Sequence, residues 1–247
     1  MTSELRSELL KQRSTRTNLG LLGSMVGLVL LVVMLHGLNL PVANLTRRSI
    51  QVGDVFGRSA LLGMLFAGLV GALSMTGEFR HGTIRPTFLV TPRRGRIVAA
   101  KVCASMLGGL ALGLMATVVA AGVGSAVLLA RGVTLQLDAT DYVLLIGGGA
   151  VAAALWAAIG VGIGALIRHQ VPSTVGISAW LLFVEGLLVG DAGAVGSVGR
   201  YLPGALGNAA SGQVPLIAPA LAVLLLALYA AALATVGWRA TSRRDVA

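Results

Sequence analysis

Charge is scarce in this chain: 11% of its 247 residues are charged and 56% are hydrophobic, where soluble domains carry about 25% charged residues. A domain with so little charge would aggregate in water, which argues against an ordinary soluble enzyme or binding module. Cysteine is limited to Cys103, so there is no internal disulfide, and no paired Cys/His spacing suggests zinc. The histidines His36, His81 and His169 are too far apart to form a two-histidine metal motif on one helix. Lysine is limited to Lys11, after Leu10, and Lys101, after Ala100. Neither ends a Gly-Lys-Ser/Thr turn, so the chain lacks the loop that cradles ATP phosphates. No serine lies in a Gly-x-Ser-x-Gly elbow. The sequence therefore predicts no catalytic residue, no metal and no cofactor held by this chain.

What the chain has instead is apolar runs of about 20 residues, the length that crosses a hydrocarbon layer. The pattern predicts an all-α polytopic membrane protein, one domain over 1–247, with six spans at about 19–36, 59–76, 98–130, 142–167, 172–190 and 216–238. The third exceeds what a bilayer needs and is expected to project into water or to tilt. The first run begins at Leu19, and no small-x-small site follows His36 promptly, so a retained span is expected rather than a cleaved signal. Ahead of it, residues 1–18 predict an amphipathic helix on the membrane surface. Leu5 and Leu9 share a face, Ser3 is a candidate N-cap, and Glu4 stands where the helix dipole favours an acid.

A net charge of +10 would suggest nucleic acid in a soluble protein, but here the basic residues occupy the gaps between apolar runs. That is a topology signal, and no nucleic-acid partner is expected. Counted over those gaps, 14 of the 19 basic residues fall on the side of the termini, leaving Arg47, Arg48, Arg58, Arg131 and Arg200 on the other. Both termini are therefore expected in the cytoplasm. Abundant Ala, Gly, Val and Arg beside two lysines suggest a GC-rich bacterial genome, hence the bacterial inner (cell) membrane. Gly23/Gly27, Gly109/Gly113, Gly160/Gly164 and Gly186/Gly190 have the spacing at which transmembrane helices approach closely. Trp156 and Trp180 fall within spans as packing residues, and Trp238 at a boundary as an interface anchor.

The segment from Gly77 to Lys101, GEFRHGTIRPTFLVTPRRGRIVAAK, is too polar for a membrane span, yet it holds the apolar cluster Ile84, Phe88, Leu89 and Val90 beside Pro86 and Pro92. A short interfacial helix with its apolar residues turned to a partner or to lipid fits the pattern. Glu78 to Thr83 (Glu-Phe-Arg-His-Gly-Thr), then Thr91-Pro92-Arg93-Arg94 and Lys101, resembles the loop after the second span of ABC-2 type permease subunits, the membrane-spanning subunits of ABC exporters. The resemblance covers nearly the whole chain, including Tyr201-Leu202-Pro203-Gly204 before the sixth span, where the family places short helices dipping back from outside. It implies that 77–97 is a cytoplasmic coupling loop and that 191–215 is extracellular or re-entrant. It assigns the ATPase-coupling element to Glu78, Phe79, Arg80, Gly82, Thr83, Ile84, Arg85, Phe88, Leu89, Pro92, Arg93 and Arg94. The implied partners are ABC ATPase subunits, which bind ATP and Mg, and a second permease subunit, identical or homologous, within membrane lipids.

Within the spans the outstanding residue is Glu185, thirteen residues beyond Pro172, or about 20 Å at helical rise. An intramembrane acid is a functional candidate by default. Arg58, near the same edge, is the expected ionic partner, in either a structural pair or the substrate pathway. The resemblance implies an exporter permease whose cargo is a drug, hydrophobic peptide or lipid-like molecule. The alternative is an ATP-independent channel or proton-coupled carrier, which usually shows several intramembrane ionisable groups or repeated broken helices.

Overall fold

The computed structural model describes residues 2–82, 94–189, 196–213 and 217–243. Among these residues there is no strand, and six helices are long and apolar enough to cross a membrane. The protein is an all-α polytopic membrane protein. Its helices are α1 (Thr2–Ser14), α2 (Arg16–Asn39), the short α3 (Val42–Leu45), α4 (Arg48–Arg80), α5 (Arg94–Ala130), α6 (Ala139–Ile167), α7 (Gln170–Leu188), α8 (Pro203–Ala210) and α9 (Pro219–Arg243). The bundle has a proximal end, where α1 packs against α5, and a distal end, where α2 turns into α4.

Helix α6 is the hub, packed against α4, α5 and α9. Its most hydrophobic stretch is 78% buried, against 17% for that of α2. Small residues explain the difference. Lipid is as apolar as leucine, so helices gain by approaching closely rather than by leaving water, and α6 supplies Ala150, Ala153, Ala157, Gly160 and Gly164 at its contacts. A methyl at Gly160 would collide with the Gly68 carbonyl of α4, and one at Gly113 would lie 2.8 Å from the Ala150 Cα. Two of the four glycine pairs, Gly109/Gly113 and Gly160/Gly164, thus sit at real helix crossings. Gly23, Gly27 and Gly186 meet open space, and Gly190 lies outside the described residues.

Helix α4 begins well before the Ser59 expected from hydropathy. Its first turns carry Gln51, Asp54 and Arg58, which hide the helix from an apolar count, and Gln51–Gly57 is wound as a π-helix. Buried Gln51 bridges the distal connections: its amide donates to the Leu45 and Thr134 carbonyls and accepts from the Gln136 N–H. Arg131 caps the end of α2 by donating to the Gly37 and Leu40 carbonyls, at 2.7 and 2.8 Å. Helix α9 begins at Pro219 and continues past Trp238, while Leu216, the expected start, lies outside the described residues.

Helix α1 departs from its expected role as a surface helix seated on leucines. Leu5 and Leu9 are only half-buried and Leu10 is 60% exposed, whereas Glu8 is buried. The helix docks against α5 through polar side chains.

Candidate functional site

The proximal end holds a four-residue ion cluster assembled from three helices. Lys101, near the start of α5 and 2% exposed, places Nζ 2.6 Å from Glu8 Oε2 and 3.0 Å from Glu78 Oε1. Lys11, one turn beyond Glu8 on α1, reaches Glu8 Oε1 at 2.7 Å and Glu78 Oε1 at 2.9 Å. Two ammonium groups and two carboxylates cancel, which is the condition for keeping charges away from water. Burial by itself would raise the Glu8 carboxyl, but the Lys101 charge and the bonds from Lys101 and Lys11 outweigh it and hold Glu8 below the ordinary carboxylate value. Burial opposes the Lys11 charge too, and the bonds to Glu8 and Glu78 overcome it and raise Lys11 above the ordinary lysine value. A polar strip extends the cluster: Gln12 donates to Ser105, which lies 3.2 Å from Ser74.

These contacts fix both ends of the segment that joins α4 to α5. Glu78 stands at the end of α4 and Lys101 two turns into α5, so the ion cluster clamps the two stems together and adds α1 to them. The neighbouring residues are also held. Phe79 lies under the Arg168 guanidinium, 5.1 Å from the ring centre, and Arg80 donates to Gln170 at 3.1 Å. Arg168 itself donates to the Ala240 carbonyl near the end of α9. Gly82 takes a φ of +66°, a left-handed conformation that costs glycine little and ends α4 by the usual C-terminal geometry.

Of the residues assigned to the coupling element, Glu78, Phe79, Arg80 and Gly82 are thus placed at the base of the segment. Thr83, Ile84, Arg85, Phe88, Leu89, Pro92 and Arg93 lie outside the described residues, and of Arg94 only the backbone is described, in α5. Glu8 and Lys11 were not singled out from the sequence. The available signal was that the chain's two lysines and two of its few acids all fall on the terminal side of the spans, with Glu8 and Lys11 three residues apart on one helix.

The second site surrounds Glu185, 5% exposed on α7. Its carboxylate accepts from the backbone N–H groups of Gly204, at 3.0 Å, and Ala205. These are orphan donors in the first turn of α8, whose own N-cap, Leu202, has no side-chain acceptor. A carboxylate there also meets the positive end of the helix dipole. The π-helical turn Trp180–Val184 immediately precedes Glu185 and shifts the phase of the residues that follow. A Cβ at Gly204 would fall 2.6 Å from Glu185 Oε2, so glycine gives the carboxylate room to reach the backbone.

The expected Glu185–Arg58 pair is corrected by this geometry. Arg58, on an exposed face, bonds Asp54 one turn earlier at 2.8 Å. Among the described residues no group of three or more His, Cys, Asp or Glu side chains converges to hold a metal. Comparison with family models finds no match for this chain, and comparison with curated proteins finds none either.

Proposed function

We propose that this chain is the membrane-spanning permease subunit of an ATP-driven exporter, working with a second membrane subunit and with separate ATPase subunits that bind ATP and Mg. It would reside in the bacterial inner membrane with both termini in the cytoplasm. The reading rests on the resemblance of residues 78–101 to the coupling loop of ABC-2 permeases. The observation that best supports it is the clamp joining Glu78, Lys101, Glu8 and Lys11 at 2.6–3.0 Å. A segment that receives a push from a docked ATPase must have stiff stems, because a floppy base dissipates movement instead of passing it to the helices. Here both stems and α1 are tied into one body, and α4 continues directly into the hub contacts with α6. ATP-driven closure of the ATPases would move this body and switch the permease pair between inward-open and closed or outward-open forms. The cargo under this reading is a drug, hydrophobic peptide or lipid-like molecule.

The rival reading, an ATP-independent channel or proton-coupled carrier, takes its interest from Glu185. Both oxygens of that carboxylate are occupied by α8 backbone donors, which suits a fixed structural role. The test is purification of the chain in mild detergent from its native membrane. Co-elution of a P-loop ATPase supports the exporter. Recovery without any nucleotide-hydrolysing partner, together with ion or solute flux from the chain alone in vesicles, would replace it with the rival.

A further inference from the structure

Along the last three turns of α4 the proximal end opens into a cavity of about 640 Å³, within the range that holds drug-sized ligands. Val70 and Leu73, two to three turns back along α4, give the lining its apolar part beside the polar Gln12, Asn18 and Ser74, while Lys11 and Arg80 are exposed. From Val70 to Arg80 the helix rises about 15 Å, enough to carry the cavity from a headgroup region into hydrocarbon. The wall holds the cations Lys11, Arg80 and Lys101 against the carboxylates Glu8 and Glu78. Both carboxylates are already bonded by the two lysines, so the surplus positive charge belongs to the exposed cations. An ammonium group has three donors, and Lys11 spends two of them on Glu8 and Glu78.

We propose that this cavity binds an amphiphile with an anionic, phosphate- or carboxylate-bearing head. The head meets Lys11 and Arg80, and the tail lies over Leu73 and Val70. A small hydrophilic anion would leave the apolar wall unused, and a cationic amphiphile would meet surplus positive charge. The head chemistry is shared by a resident bilayer lipid and by an exported amphiphile. The site itself stands apart from the exporter reading; only naming its occupant as cargo rests on that reading.

The test is native mass spectrometry of the full chain from neutral maltoside micelles with equimolar dioleoyl phosphatidylglycerol and dioleoyl phosphatidylcholine. Phosphatidylglycerol should be retained over phosphatidylcholine by at least about tenfold, as expected for headgroup contact with two cations. Arg80→Gln, which spares the ion cluster, should remove most of that preference. Leu73→Trp, which fills the apolar wall, should lower retention of both lipids, with the thermal midpoint of each variant checking that the bundle is intact. Equal retention of the two lipids, or a preference unchanged in both folded variants, overturns the proposal. In vesicles containing the co-purified ATPase, ATP-driven movement of labelled phosphatidylglycerol identifies cargo and its absence a resident lipid; either result keeps the site. Failure of any ATPase to co-purify removes the exporter reading and leaves the binding result standing.

Discussion

Lys101 and Glu8, separated by 93 residues in sequence, meet at 2.6 Å with less than a tenth of either side chain exposed. The contact fastens the first helix to the second stem of the segment between α4 and α5, and Glu78 fastens the first stem to the same ammonium. Removing one partner of such a cluster leaves an uncompensated buried charge, which costs about 3–5 kcal/mol. Lys101→Met is therefore expected to lower the thermal midpoint in detergent and to expose α1 to trypsin at Arg13 and Arg16. Adding Glu8→Gln to Lys101→Met restores neutrality and keeps the Lys11–Glu78 pair; it should recover part of the loss, and a double-mutant cycle measures how much.

The same cluster makes the docking of α1 depend on pH at both extremes. Glu8 sits below its ordinary value of 4.5, so its contribution is complete above that value and is lost as pH falls through the lower, folded-state value. Lys11 sits above its ordinary value of 10.5; its contribution is complete below 10.5 and is lost as pH rises through the higher, folded-state value. A spin label at position 10 (Leu10→Cys in a Cys103→Ser background) should keep one constant mobility from about pH 5 to 10 and gain mobility on both sides. A label equally mobile throughout would contradict the docked arrangement.

Glu185 should be needed for the seating of α8 and not for pairing with Arg58. Glu185→Ala leaves two buried N–H groups without acceptors, at about 1–3 kcal/mol each, and should speed amide exchange across 203–210. Glu185→Gln, which keeps an acceptor oxygen, should cost less. Arg58→Gln should change stability by about 1 kcal/mol or less, as for an exposed pair, and leave that exchange unaltered. Equal acceleration in Arg58→Gln and Glu185→Ala would reverse the assignment.

Glycines of identical spacing should respond differently. Gly160→Ala pushes a methyl into the Gly68 carbonyl, and such overpacking costs about 1–3 kcal/mol. Gly23→Ala and Gly27→Ala meet open space and should leave the midpoint of the isolated chain nearly unchanged. Thermal unfolding of the three variants in one detergent makes the comparison.

Which of those glycines pack could not be read from spacing, because the decisive quantity is the neighbour across the crossing. The spans themselves were legible, since lipid demands runs of apolar residues whatever the tertiary contacts. Polar helix was not: Gln51, Asp54 and Arg58 belong to α4, but hydropathy starts the span only after them. For Glu185 the sequence marked an unusual acid and suggested the nearest opposite charge, yet its acceptor needs are met by backbone N–H groups, which no residue letter encodes. The ion cluster was missed for a related reason. The Leu5/Leu9 face of α1 pointed to lipid, while the docking is carried by Glu8 and by Lys11, a residue that also reads as an ordinary basic group on the inner side.

Under the proposed exporter function, the segment between the clamped stems receives force from a separate ATPase. The most direct measurement is ATP hydrolysis by the complex that co-purifies with this chain, comparing wild type with the Phe88→Asp, Leu89→Asp double variant. The account predicts that the variant folds with an unchanged thermal midpoint but loses the bound ATPase and its activity. A double variant that retains the ATPase at full rate, or a wild type that never binds one, would contradict it.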